Sequence, residues 1–290
     1  MSANSSSSLL QPQPSSLLLL FSVDQHCFIT KPSSFIFIIY NVSTIVFLLP
    51  LIILVFYAAW QRKRSHAWSH FDYFSCHTTI IEIFCVIKLI PNFLGVRTNN
   101  ILAVFVGSVL SSFVWYGETS FQVLTCADHY LAVVQPLTYR SLRNKRGTRI
   151  RNVCIGFVWL LCFLRMGLYV NSKTGFIVDF FLVVISLLIT LFCNLSALRV
   201  LIRPGPGEPA RERPDRSKQK AFYTMVIILC ILAVRFVSSL IWAGICVTHM
   251  MNNECLIMAG IIWCNLPSSL VLPLLFLHKR RKFVCCKNKK

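Results

Sequence analysis

Glu82, Lys88, Glu118, Arg165, Asp179 and Arg235 each interrupt a long apolar run. Acids and bases so placed can share a proton, bind a cation or pair with one another, because a charge left alone in apolar surroundings costs several kcal/mol. Glu82 stands 11 residues after Phe71, where its run begins, and Glu118 stands 10 residues before Asp128, near the end of its own. At about 1.5 Å per residue both lie roughly 15 Å from one and the same boundary if the runs cross in opposite directions. Arg235 lies about 14 residues into its run, somewhat above the acids, with a side chain long enough to descend to them. Lys88, Arg165 and Asp179 fall toward the other boundary and are candidates for lining a polar pocket; snorkelling or pairing is the plain alternative for the two bases. The His residues are scattered, and no metal-ligand spacing, phosphate loop or nucleophile elbow appears, so the expectation is a protein that is not an enzyme, with no metal cofactor.

The elements that must position these charges are the apolar runs themselves: 34–60, 71–94, 101–133, 152–170, 176–202, 221–248 and 256–277. Each has at least 19 residues, enough to cross a hydrocarbon core of about 30 Å as a helix. Lipid offers the backbone no partner, and none of the runs alternates with the period of two that a barrel strand needs. The fold class read from this is an all-α membrane protein, a seven-transmembrane helix bundle. Of the 29 Lys and Arg, 23 fall in segments 61–70, 134–151, 203–220 and 278–290 or at Arg199, whereas the amino-terminal tail and the other three loops hold Lys31, Arg97 and Lys173. Basic loops stay in the cytoplasm. The amino terminus is therefore expected outside and the carboxyl terminus inside, which needs an odd number of crossings. The net charge of +19 thus reads as topology, and nucleic acid is not an expected partner. A chain that is 56 % hydrophobic and 13 % charged leaves no room for a second domain: an extracellular tail (1–33), the bundle (34–277) and a cytoplasmic tail (278–290).

Other features concern the surfaces. The tail is rich in Ser, Pro and Leu and reads as disordered, and its apolar run 17–21 is too short for a signal peptide. Asn4 heads an exposed glycosylation sequon; Asn41 and Asn194 head sequons inside runs, where none is expected to be used. Segment 203–220 carries Pro204, Gly205, Pro206, Gly207, Pro209 and Pro214 and reads as a non-helical linker. Most of the 13 Cys lie within runs as small apolar groups, while Cys27 and Cys255 are placed to form an extracellular disulfide. Cys285 and Cys286 follow a basic stretch beside the membrane and are candidates for palmitoylation; a bare basic helix held to anionic lipid by charge is the alternative.

At the foot of the third run stands Cys126-Ala127-Asp128-His129-Tyr130-Leu131-Ala132-Val133-Val134-Gln135-Pro136-Leu137-Thr138-Tyr139. This resembles the rhodopsin-like (class A) G-protein-coupled receptors, whose third span ends in Asp/Glu-Arg-Tyr, often followed by Leu-Ala-Val-Val-x-Pro-Leu-x-Tyr. Trp159 matches the family's fourth-span tryptophan, Glu82 its second-span acid, and Leu272-Pro273-Leu274-Leu275-Phe276 a degraded Asn-Pro-x-x-Tyr. Residues 278–290 resemble its short amphipathic eighth helix. More narrowly, Ser69-His70-Phe71-Asp72, Tyr139-Arg140-Ser141-Leu142-Arg143 and Arg203-Pro204-Gly205-Pro206-Gly207 resemble a group of fish orphan receptors.

The resemblance implies an extracellular ligand, a plasma-membrane location and a heterotrimeric G protein as partner, with Asp128, His129, Tyr130, Tyr139, Pro273 and Phe276 as switch and coupling residues. It puts Glu82 and Glu118 on neighbouring helices, where two carboxylates cannot both ionise cheaply. A shared proton, a salt bridge to Arg235, a sodium ion with Ser268 and Ser269 as further ligands, and a singly protonated Glu118 all remain open. Several positions depart from the family. His129 stands for the switch arginine, Leu272 and Phe276 for the asparagine and tyrosine of span seven, and Ser238 for the helix-kinking proline two residues after the toggle position, Phe236. Val104 stands where the family has its third-span cysteine, and the second outer loop has none. Ser111 replaces the aspartate of amine receptors, so an amine ligand is not expected. Three readings follow: a receptor with weakened switch motifs, a non-signalling seven-helix interaction or decoy protein, and, last, a small proton-coupled transporter.

Overall fold

The computed structural model describes residues 33–63, 70–98, 100–142, 144–168, 172–202, 216–248 and 254–287. Nine helices account for nearly all of them: α1 (Ser33–Lys63), α2 (His70–Ile87), α3 (Leu89–Thr98), α4 (Ile101–Val134), α5 (Pro136–Ser141), α6 (Lys145–Leu168), α7 (Ser172–Ile202), α8 (Arg216–Thr248) and α9 (Glu254–Lys287). No strand occurs among the described residues. The chain is an all-α membrane bundle. Among the described residues, five stretches, Ser33–Gln61, Asp72–Gly95, Leu102–Val134, Lys145–Gly167 and Ile177–Ile202, are long and apolar enough to cross a bilayer. The last two helices carry shorter apolar cores, Met225–Ile241 and Cys255–Val271, inside helices of 33 and 34 residues.

Polarity is sorted as lipid requires. Phe35 and Ile53 on α1 are 64 % and 60 % exposed, whereas Thr44, Glu82, Thr119 and Ser268 are fully buried. Large apolar side chains face outward and polar ones face the bundle axis. The long helix α4 is the central post, packed against α2, α3, α6 and α7; α8 joins α7 to α9, and α9 closes on α1. Its start is fixed by Asn100, whose side chain caps the amides of Leu102 and Ala103 at 3.0 and 3.4 Å. Its end comes at Gln135, just before Pro136, which opens α5.

The second crossing is broken at Lys88, between α2 and α3. Pro91 has no amide to give the Ile87 carbonyl, while Lys88 N to Phe84 O (2.9 Å) and Asn92 N to Lys88 O (3.3 Å) hold the chain on either side. Buried hydroxyls on this crossing bond back one turn, Thr78 to Phe74 O at 2.9 Å and Thr79 to Ser75 O at 2.8 Å.

Helix ends depart from the apolar runs. α6 starts at Lys145 and α7 at Ser172, earlier than hydropathy places them, because a helix continues into water wherever no breaker stops it. The expected non-helical linker 203–220 is helical from Arg216 onward, since its last breaker is Pro214. The expected separate eighth helix is also corrected: α9 runs unbroken through His278 to Lys287, and its prolines, Pro267 and Pro273, lie upstream of that point. Cys255 is disulfide-bonded; its expected partner Cys27 lies outside the described residues, as do Asn4 and the side chains of Cys285 and Cys286.

Candidate functional site

The charged residues of the bundle centre meet in one junction. Arg235 on α8 is 1 % exposed and places Nη1 2.8 Å from Glu118 Oε2 on α4. Nη1 also donates to Ser268 Oγ on α9 at 2.8 Å, and Nη2 to Thr119 Oγ1 at 3.3 Å. Ser269 Oγ donates to the other Glu118 oxygen at 3.2 Å, and Gln122 Nε2 reaches Ser268 O at 3.4 Å. Three helices are thereby tied through one guanidinium, whose planar fork suits several acceptors at once. Of the alternatives open at the sequence level, the salt bridge is present. Ser268 and Ser269, candidate sodium ligands, here accept from Arg235 and donate to Glu118.

Glu82 completes the cluster differently. It is fully buried, and neither carboxylate oxygen has a hydrogen-bond partner. Oxygen atoms of Glu82 and Glu118 and the Cys85 sulfur lie within 4.8 Å of one another. The two acids are thus faced by Arg235 directly and by Lys88 at a distance, and the Glu82 carboxylate, buried without a hydrogen-bond partner, is where a proton or a small cation would be held. The approach of α2 to α4 that makes this pair rests on Gly117. A Cβ there would sit 2.7 Å from Ile81 Cδ1, one residue along from both acids. On α9, Pro267 and Pro273 bracket the two serines, and the Asn265 carbonyl accepts Ser268 Oγ at 2.7 Å.

A second pair lies among α4, α6 and α7. Arg165 donates from Nε to Asp179 Oδ1 (3.1 Å) and from Nη2 to Oδ2 (2.9 Å), a bidentate geometry. Tyr116 OH donates to Asp179 Oδ1, and the Tyr116 ring centre lies 5.7 Å from the Arg165 guanidinium carbon. Between this pair and the junction lies a cavity of about 360 Å³. Of the expected ligand-site residues it brings together Lys88, Ser111 and Asp179; Arg165 is held behind Asp179 instead of lining it. Glu118 and Ser269 form part of its wall, so cavity and junction share residues. Asn41, heading one sequon, also lines the cavity, and Asn194, heading another, is buried with its amide on Thr190 O at 2.8 Å.

Sequence reading missed Tyr116, Thr119, Gln122, Tyr40 and Asn265. Thr119 and Gln122 stand one and four residues after Glu118, and helical spacing puts Gln122 on the same face. For Tyr116 no local signal exists, because its partner is on another helix.

Toward the other end of α4, Asp128 is buried, His129 half-buried, and Tyr130 packs on Phe192 with ring centroids 5.6 Å apart. Tyr139 is half-buried on α5, and Pro273 is buried in α9; the Phe276 side chain lies outside the described ones. Ser238, in place of the kinking proline, bonds back to Arg235 O at 2.8 Å, and α8 stays continuous beside the buried Phe236. Trp159 Nε1 donates to His77 Nδ1 at 3.3 Å, joining α6 to α2.

The site is thus a buried ion junction beside a mostly apolar, partly open cavity that carries three charged side chains, Lys88, Glu118 and Asp179. No family model matches the chain. Over 118 residues it is 28 % identical to olfactory receptor 6T1 of Homo sapiens, covering 38 % of this chain and 36 % of that one. The chain therefore spans about a third of the length of the curated relative it matches. That relative is a receptor and not an enzyme, in line with the non-enzymatic reading of the residues. Fold and similarity together describe a receptor-like, multi-pass helical membrane protein.

Proposed function

We propose that the chain is a rhodopsin-like G-protein-coupled receptor of the plasma membrane, with its amino terminus outside, its carboxyl terminus inside and a small organic ligand entering the cavity from outside. The observation that carries this reading is that Glu118 and Ser269 belong both to the cavity wall and to the junction that ties α4, α8 and α9. A ligand touching them acts on the groups that hold three helices together. It shifts the bundle toward whichever arrangement it binds more tightly. The basic segments supply the orientation, and the similarity to an olfactory receptor supports a small-molecule ligand. A heterotrimeric G protein then meets His129, Tyr139 and the start of α8 near Lys218 and Lys220. Glu82 carries a proton or a small cation in at least one of the two states.

A second reading, a non-signalling membrane protein that kept the bundle, is favoured by His129, Leu272 and Phe276 in place of the polar switch residues. Restoring them separates the two. His129→Arg with Phe276→Tyr is expected to raise basal G-protein activation several-fold at equal surface delivery. Silence of both the native and the restored protein toward every G protein assigns the chain to the second reading. A pH-dependent current abolished by Glu118→Gln would instead assign it to proton-coupled transport.

A further inference from the structure

Of the charged side chains that face the cavity, Glu118 is paired with Arg235, and Asp179 is paired with Arg165 and accepts from Tyr116. Lys88 also lines the cavity, yet it has no ion pair and no side-chain hydrogen bond among the described residues. The negative charges nearest to it, Glu118 and Glu82, act on Lys88 only at a distance, with no direct ion pair to either among the described residues. An ammonium group in such a wall is a built-in preference among ligands. A cationic guest meets Lys88 and finds both acids already occupied. A neutral guest leaves Lys88 as it is. An anionic guest supplies the missing partner, and a site made for a charged hydrogen bond rejects analogues that lack it.

We infer that the cavity binds a small organic monoanion, a carboxylate with an apolar body, whose acid group pairs with Lys88. The inference rests on the receptor reading only for the direction of entry. One lysine matches one negative charge, so a dianionic phosphate is disfavoured. Asn92, one turn beyond Lys88, and the Tyr40 hydroxyl are donors on the same wall for a second carboxylate oxygen. Phe37, Val183, Met258 and Ile262 offer the apolar remainder of the lining. About 360 Å³ is at the small end of ligand sites, which suits a short hydrocarbon or aryl chain and excludes a long-chain lipid.

The test uses the full chain in zwitterionic nanodiscs, without G protein, and follows its thermal unfolding against octanoate, 3-phenylpropionate, 1-octanol and octylamine. Wild type is expected to be stabilised by the two acids at concentrations at least about tenfold below those needed for 1-octanol, the ratio one charge-assisted hydrogen bond supplies. Lys88→Met and Lys88→Gln should lose that preference while still responding to 1-octanol, and Lys88→Arg should keep it. Acids no better than the alcohol in wild type, no response to either acid, or an acid preference that survives in Lys88→Met each overturn the inference. The wild-type comparison decides alone if neither variant folds. Acid binding by a protein that never activates a G protein would sink the receptor reading and leave this one standing. Activation by neutral compounds with no effect of acids would do the reverse.

Discussion

Arg235–Glu118 and Arg165–Asp179 are arginine–carboxylate pairs of the same chemistry in different surroundings. Arg235 and Glu118 are 1 % and 6 % exposed, whereas Arg165 and Asp179 are 10 % and 29 % exposed. The inner pair is almost wholly buried, although Glu118 also touches the cavity wall, and its contacts come from other helices: Ser268, Ser269 and Thr119 meet the charges in place of solvent. The outer pair has the better bidentate geometry, but its carboxylate is far more exposed than that of Glu118. Geometry alone would rank the outer pair higher; burial reverses the order, because the loss of a partner is felt in full only where nothing can replace it.

The largest break in this comparison is Arg235→Met, which leaves two buried acids facing one another. It should lower stability by ~3–5 kcal/mol, read as a fall in the unfolding temperature in detergent. Arg235→Met with Glu118→Leu should recover most of that loss, since a buried pair exchanged for apolar groups is often neutral. A single variant that melts like wild type would mean the inner pair is no lock. Next comes Gly117→Val, which pushes Ile81 and separates the two acids; about 1–3 kcal/mol is expected from overpacking, measured the same way. Arg165→Met should cost less, ~1–2 kcal/mol, because Asp179 can take up water. Tyr116→Phe, which removes one hydrogen bond to Asp179 and keeps the ring, is expected to cost about 1 kcal/mol. An Arg165→Met protein less stable than Arg235→Met would invert the comparison.

Much of the inner site was legible because a helix converts residue counts into depth. Counting from Phe71 and Asp128 set Glu82 and Glu118 at one level, and the length of an arginine side chain allowed Arg235 to reach them. Which acid Arg235 would choose was not legible, since that depends on how α8 is rotated against α4 and α9. The outer pocket shows the same limit. Asp179 and Arg165 were both marked as pocket residues, yet their mutual bond withdraws Arg165 from the cavity wall. Tyr116 carries no charge and sits in an aromatic stretch, so nothing near it points to Asp179. Helix ends were misplaced where apolarity was taken for helicity: Lys145 and Arg216 lie in helix beyond the apolar cores.

The bond between Glu118 and Arg235 joins the third crossing to the sixth, and a ribosome makes them in that order. While the fourth and fifth crossings are being threaded into the bilayer, Glu118 waits beside Glu82 with no guanidinium to meet it. The nascent protein is therefore least secure midway through its own synthesis, and a chain stopped short of α8 is a natural target for the cell's quality control.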